Sequence, residues 1–478
     1  MNLRLDLHLL GGLLALVGVF QCLPVGAAIL FQENPWPYVA SAFITLLSGI
    51  LLFSATYTQN PQIRPRDGFF VVSCAWVLTS VFCALPYVTT GTFHPVNAFF
   101  ESVAGLTTTG STVFARIEGV PRSLLLWRSF SQWLGGMGII LFTIAILPLM
   151  GIGGMQLFKA EVPGPIADKL RPRVTETARR LWYIYVGFTA TECVALRLAG
   201  MNWYEAICHA FTTMSTGGFS TRTASIGAFH SAAVEWILIV FMLMAGVNFV
   251  LHYQMWVGRR WIAWRDGEFR YYSWVVLGAS AVVAGTLWLS DVPPGSAVRS
   301  GAFQVVSILT TTGYVTKDMD RWPFLVQFIL LSLMFLGGMS GSTSGGVKSL
   351  RALIGLRALR ATFDRLLHPQ AVCPVKHGGR PVSAKVLEDI WAFFAAYFLI
   401  IVVAAAVVTA YGYDLITAIS AAMTSISNVG PGLGDIGATE NFAHFPTLVK
   451  LVLAGCMIAG RLEVFTLFVL FLPAFWRR

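Results

Sequence analysis

Four stretches of this chain join hydroxyl side chains to glycine in a way that could do chemistry. They read FFESVAGLTTTGST (Phe99–Thr112), ICHAFTTMSTGGFS (Ile207–Ser220), AFQVVSILTTTGYV (Ala302–Val315) and AISAAMTSISNVGPG (Ala418–Gly432). Each is half apolar and ends in a turn. Glycine permits backbone angles that line carbonyls up along a path, and a ring of such carbonyls can replace the water around a cation. Threonine and serine hydroxyls can add a further ring at the inner mouth. The aligned glycines are Gly110, Gly217, Gly313 and Gly430, spaced 107, 96 and 117 residues apart. Self-similarity of this kind signals an architecture built by repetition. One TTTG would be ordinary helix packing or a turn. Four copies, each between two apolar runs and on the same side, favour a shared cation site.

The elements that must position these turns are membrane helices. Of 478 residues, 56% are apolar and 12% charged, and mean hydropathy is +0.69. That balance excludes a soluble globular enzyme and a disordered chain. Ten apolar stretches can cross a bilayer or nearly so: Leu9–Leu30, Val39–Tyr57, Phe69–Val88, Leu124–Met150, Leu181–Leu198, Val234–Trp256, Trp274–Leu289, Leu325–Leu336 with its continuation, Ile390–Tyr411 and Leu448–Trp476. The net charge of +10 comes from basic residues in the loops between them. Such residues stay cytoplasmic, so both termini are expected inside, and no nucleic acid is implied. The segments Lys159–Arg180 and Lys348–Lys385 also suit anionic lipid.

The expected fold is an all-α polytopic membrane protein. A two-helix hairpin (1–60) precedes four pseudo-symmetric span–half-helix–span repeats around a central pore, at 61–155, 156–262, 263–368 and 369–478. The half-helices are too short to cross, so they enter from outside and return as loop. Backbone of that kind survives at depth only where it lines a path or is buried in protein. Each half-helix points its negative end inward, which attracts a cation.

Two features could gate such a path. Gly337–Gly346 holds five glycines, with serines and Thr343, inside an apolar run. Glycine destabilises a helix there, so Gly337, Gly338, Gly341, Gly345 and Gly346 suggest a flexible loop rather than a simple kink. Arg461 lies within the last span. A central arginine is costly and should face a polar cavity or a carboxylate.

Other polar residues are weaker signals. Asn248, His252 and Gln254 could line the inner cavity or bond between helices. Glu101, Glu205, Asp414, Asp435 and Glu440 are expected toward the outside, solvated. Cys373 with His368 and His377 is a loose triplet, weak as a metal site. No HExxH, GxSxG or Walker A motif occurs, so no enzyme and no covalent cofactor are expected. An organic-solute transporter with broken helices is the main alternative, but such folds usually repeat twice with inverted topology.

These motifs together resemble the Trk/Ktr/HKT superfamily of potassium transporters, most closely its bacterial TrkH/TrkG branch. The resemblance covers nearly the whole chain and includes GGMSGSTSGGVKSLR (Gly337–Arg351) and AGRLEVFTLFVLF (Ala459–Phe471). It implies a K+ filter of backbone carbonyls around Thr108, Thr109 and Gly110; Ser215, Thr216 and Gly217; Thr311, Thr312 and Gly313; and Asn428, Val429 and Gly430. It implies a bound K+ ion, with Rb+ accepted and Na+ weakly, and a gate at the glycine loop and Arg461. It further implies an inner-membrane homodimer regulated by a TrkA-like cytosolic nucleotide-binding ring. Sodium-selective members carry serine at the position of Gly110, so glycine here favours K+. Whether transport is passive or coupled to H+ or Na+ stays open.

Overall fold

The computed structural model describes residues 2–58, 65–145, 170–256 and 263–477. Its helices are α1 (Leu3–Phe20), α2 (Cys22–Leu30), α3 (Trp36–Ala55), α4 (Pro65–Cys83), α5 (Leu85–Thr89), α6 (Pro95–Leu106), α7 (Arg122–Ala145), α8 (Leu170–Leu198), α9 (Trp203–Met214), α10 (Ala232–Ala245), α11 (Phe249–Trp256), α12 (Gly267–Leu289), α13 (Pro294–Leu309), α14 (Phe324–Leu336), α15 (Ser349–Leu367), α16 (Ala384–Ala410), α17 (Leu415–Ser427), α18 (Thr447–Arg461), α19 (Phe465–Phe468) and α20 (Pro473–Trp476). A two-residue antiparallel ribbon, Lys376–His377 against Arg380–Pro381, is the one departure from helix among the described residues with extended pairing. Arg64, Lys159–Lys169, Arg259 and Arg260, and the boundaries at 60/61, 155/156 and 262/263, fall outside or against the edge of the described residues.

Among the described residues, five helices are long and apolar enough to cross a membrane, and seven spans result if each sharply bent pair counts as one. Their outer faces carry large apolar side chains such as Leu289 and Phe324, both exposed, as a lipid-facing surface requires. α1 and α3 pack through small residues. A side chain at Gly11 would strike the Phe53 backbone, and one at Gly49 the Ala15 backbone. This is the close approach that holds helices together in lipid.

Two expected straight spans are broken. Val234–Trp256 splits into α10 and α11, which bend by 98°, and Leu448–Trp476 splits after Arg461 with a bend of 110°. Neither break is marked by a proline at its position. The first is held by bonds to the glycine-rich loop: Met339 N donates to Gly246 O at 2.9 Å and Phe249 N to Gly341 O at 3.1 Å. The second passes through Glu463 and Val464, both at φ 57°, a conformation that a β-branched residue adopts only under strong constraint. Backbone polar groups freed at depth thus find protein partners. The apolar run Leu325–Leu336 likewise stops at Gly337 rather than continuing.

Candidate functional site: four glycine turns above a glycine loop

The four turns follow α6, α9, α13 and α17. Pro95 and Pro294 open two of these helices at a position suited to proline. Asn202 caps α9 through Glu205 N at 2.8 Å. Asp414 caps α17 through Ile416 N and Thr417 N at 3.0 and 3.1 Å. Hydrogen bonds from the Thr417 side chain and from these backbone N–H groups hold the Asp414 carboxyl below the usual carboxylate range.

The helix ends set a common register. Thr108, Thr216, Thr311 and Asn428 all sit in the left-handed region, at φ 54°, 55°, 57° and 56°. The next N–H bonds back to the helix each time: Thr109 to Ala104 O (2.9 Å), Gly217 to Thr212 O (2.8 Å), Thr312 to Ser307 O (2.8 Å) and Val429 to Thr424 O (3.0 Å). This is Schellman-type termination. Two residues beyond each left-handed residue stands a glycine at positive φ: Gly110 (84°), Gly218 (74°), Gly313 (78°) and Gly430 (106°). In the second turn the counterpart of Gly110 is therefore Gly218, not Gly217. Ser215, grouped with Thr108 on sequence, is instead the helix cap at φ −77°, matching Thr107 at −73° and Thr310 at −78°.

These glycines close a ring. A side chain on Gly110 would strike the carbonyl oxygen of Gly217, one on Gly218 that of Thr312, and one on Gly313 that of Val429. One on Gly430 would lie 2.7 Å from the carbonyl oxygen of Thr109. Each turn thus abuts the next, and the fourth returns to the first. A cavity of about 80 Å³ is lined by all four glycines. Side chains tie the ring unequally. Asn428 Nδ2 donates to Thr109 Oγ1 and Met457 O, each at 2.9 Å. Gln132 Nε2 donates to Gly217 O at 2.6 Å, while its Oε1 accepts from Phe219 N at 3.1 Å.

The glycine-rich loop touches these same elements. Gly345 N donates to Thr311 Oγ1 at 2.7 Å, and a side chain on Gly345 would strike Ser427 O. Thr343 Oγ1 donates to Met214 O at 3.1 Å and Ala245 O at 3.3 Å. Arg461, fully inside, donates from Nη1 to Thr343 O at 2.7 Å and from Nη2 to Gly135 O at 3.2 Å. Arginine thus meets carbonyls rather than a carboxylate. Glu463 pairs instead with Arg351, and Lys348 Nζ bonds Ser344 O. Ser340 N donates to the buried Glu268 at 2.6 Å. The loop is bonded to α9, α10, α12, α18 and the third turn at once, and lies close against the end of α17.

Residues 38–478 match the TrkH family, described as cation transport proteins. This chain belongs to the TrkH family. It is 41% identical to the Trk system potassium uptake protein TrkH of Halomonas elongata, over the whole of both chains. It is 38% identical to the protein of that name from Escherichia coli, again over both full lengths. The crystal structure of the potassium transporter TrkH from Vibrio parahaemolyticus superposes with a TM-score of 0.92, covering all of both chains at 37% identity. The family is one of transport proteins, not enzymes.

Several polar residues of this TrkH-family chain differ from their sequence expectation. Glu101 is not solvated. It is fully buried, bonded by Arg128 Nε at 2.7 Å, Val113 N at 2.8 Å and the Thr112 hydroxyl. Glu205 pairs with Arg222 at 2.5 Å. Asn248 caps Val250 N at 2.8 Å, and His252 Nε2 bonds Met244 O at 2.8 Å, so both serve the break between α10 and α11. Glu440 does line the cavity beside the glycines. Cys373, His368 and His377 form no metal-binding group among the described residues. Sequence reading missed Gly218, Gln132, Arg128 and Glu192. The last is fully buried in α8 with neither carboxylate oxygen hydrogen-bonded among the described residues. A lone acid in the apolar run TATECVAL was the available signal.

Proposed function

We propose that this chain takes potassium up across the bacterial inner membrane, both termini cytoplasmic, through one path between the four glycine turns. The observation that carries this reading is the ring in which Gly110, Gly218, Gly313 and Gly430 each abut a carbonyl of the following turn. The names of the full-length relatives support potassium as the cargo. A hairpin (1–60) precedes four pseudo-symmetric repeats (61–155, 156–262, 263–368, 369–478). Main-chain carbonyls around Thr108–Gly110, Thr216–Gly218, Thr311–Gly313 and Asn428–Gly430 hold the dehydrated ion, aided by the negative ends of α6, α9, α13 and α17. The Gln132 bond to Gly217 and the Asn428 side chain make the four contributions unequal.

The loop 337–346 and Arg461 form the gate in this reading. The bond from Gly345 N to Thr311 of the third turn, and that from Arg461 to Thr343 within the loop, support a closed arrangement, with a positive charge under the ion path. A homodimer and a TrkA-like cytosolic nucleotide-binding ring complete the working assembly, by analogy with the family. A K+/H+ symporter of the same fold is a second reading, favoured by the buried Glu192, which faces no basic side chain in an ion pair among the described residues; a K+/Na+ symporter has no such residue behind it.

Growth of a K+-uptake-deficient cell in low K+ is restored if the reading holds; an expressed, membrane-inserted chain that fails to restore it overturns the proposal. Liposomes with imposed K+, Na+ and pH gradients separate the two readings. Flux that follows the K+ gradient alone supports a channel, and flux driven by the pH gradient and abolished by Glu192→Gln supports symport.

A further inference from the structure

The left-handed residues at the ends of the four half-helices, Thr108, Thr216, Thr311 and Asn428, give a register in which the side chains behind them can be compared. Seven residues earlier stand Glu101, His209, Gln304 and Ala421, all fully buried. The first three bond the limb that leaves their own turn. Glu101 Oε2 accepts from Val113 N at 2.8 Å, and its Oε1 accepts from the Thr112 hydroxyl at 2.9 Å. His209 Nε2 meets the Ser220 hydroxyl at 3.0 Å, and Gln304 Nε2 donates to Tyr314 O at 3.4 Å. Ala421 is too short for this. Its neighbour Ser420 takes over, donating to Leu433 O at 2.9 Å. One position in the repeat thus steadies four limbs with different chemistry.

The first of these braces is an ion pair, and it reaches past its own turn. Arg128, on α7, donates from Nε to Glu101 Oε1 at 2.7 Å and from Nη1 to Ser220 O at 3.0 Å. Its guanidinium carbon lies 3.4 Å from the centroid of the Phe219 ring. Neither side chain is more than 2% exposed. The pair therefore joins Thr112 and Val113, just beyond Gly110, to Phe219 and Ser220, just beyond Gly218. Thr112, Arg128, Phe219 and Ser220 all line the cavity shared by the four glycines. A buried ion pair adds little net stability over a well-packed apolar pair, whereas its directional, charge-assisted bonds fix geometry.

We propose that Glu101 and Arg128 are a positioning pair for ion selectivity, fixing the limbs of the first two turns relative to each other so that neither relaxes around a smaller cation. The inference rests on the potassium reading above. Discrimination by a carbonyl ring depends on the spacing and number of its oxygens, and both limbs are tied within three residues of a ring glycine.

The test measures K+ and Na+ uptake by the full chain in liposomes, with the thermal unfolding of each variant alongside. Arg128→Lys keeps a cation opposite Glu101 but loses the rigid fork that also holds Ser220 O. Glu101→Gln keeps an acceptor for Val113 N but removes the charge. Each is expected to lower the K+/Na+ uptake ratio by about tenfold, the weight of one hydrogen bond to a charged group, through a lower KM for Na+. A merely structural pair would reduce the amount of active protein, cutting both fluxes alike and leaving the ratio untouched. Thr112→Val is nearly isosteric, leaves both charges in place and removes one bond to Glu101. It should shift the ratio in the same direction, and it decides the matter if the charged variants do not insert. A K+-preferring wild type whose inserted variants all keep the wild-type ratio overturns the role of the pair and leaves the potassium reading standing. A wild type without K+ preference overturns both.

Discussion

The Arg461 Nη1 group donates to the main-chain carbonyl of Thr343 at 2.7 Å, joining the end of α18 to the middle of the glycine-rich loop. The same guanidinium holds Gly135 O at 3.2 Å. One side chain thus fastens the loop to two other elements. A hydrogen bond to a charged group contributes about 1.5–3 kcal/mol, which weights a closed loop by roughly 10- to 150-fold. Arg461→Ala should raise K+ or Rb+ flux in liposomes within that range. Flux and regulation identical to wild type would remove Arg461 from the gate.

Gly110 stands at φ 84° with its open side against Gly217 O. A serine there meets both left-handed strain, about 1–2 kcal/mol, and a fixed carbonyl. Gly110→Ser should lower the K+/Na+ uptake ratio. An unchanged ratio would separate Gly110 from selectivity.

The second turn allows a sharper comparison. Gly218 has positive φ and faces the Thr312 carbonyl, whereas a side chain on Gly217 would first meet the Gln132 side chain. Gly218→Ala should therefore depress Rb+ uptake more than Gly217→Ala, in protein of equal abundance. The reverse order would return the register to Gly217.

Gln132 satisfies two buried main-chain groups with one amide. Gln132→Leu leaves both without partners, at about 1–3 kcal/mol each. Gln132→Glu keeps the bond from Phe219 N but sets an oxygen against Gly217 O. Both variants should unfold at lower temperature in a thermal-shift assay, and Gln132→Glu should also lose K+/Na+ discrimination. Wild-type behaviour in either would mean the amide does not support the turn.

Glu118 links the outer segments near Ile117 and Thr223. Burial disfavours its charge, but hydrogen bonds from Thr223 and its own backbone, with Arg116 at 3.9 Å, bring the carboxyl below its usual range. Because the folded value is the lower one, the linkage is fully present above about pH 4.3 and fades as pH falls through the folded value. The protection factors of the amides at Ile117 and Thr223, whose N–H groups bond Thr223 Oγ1 and Glu118 Oε1, should fall on acidification. Glu118→Gln should exchange faster at Thr223 even at neutral pH. Equal protection in the variant would exclude the carboxylate as the clasp.

Much of this arrangement was legible from composition and repetition. The apolar runs, the four turn sequences, the glycine loop and Arg461 are all readable without coordinates. The register of the second turn was not. STGG offers two glycines, and the choice between them depends on where α9 stops, which is decided by the bond from Gly217 N to Thr212 O. The breaks after Ala245 and Arg461 were hidden for a related reason. Neither has a proline at the break; the first is held by residues far away in sequence, such as Gly341 for Phe249 N, and the second turns on the left-handed pair Glu463 and Val464. The burial of Glu101 depends on Arg128, 27 residues on, and a partner at that distance has no local signature.

The bond from Gly345 N to Thr311 Oγ1 has an energetic corollary. Thr311 belongs to the third turn, and Gly345 to the segment beneath it. If each takes up a second arrangement that breaks this bond, the coupling free energy between them is the same seen from either side. An occupant lodged among the carbonyls and the stance of the barrier below are then conjugate variables. If the loop gates the path as proposed, permeation and closure are coupled, and the passenger itself is an effector of the door.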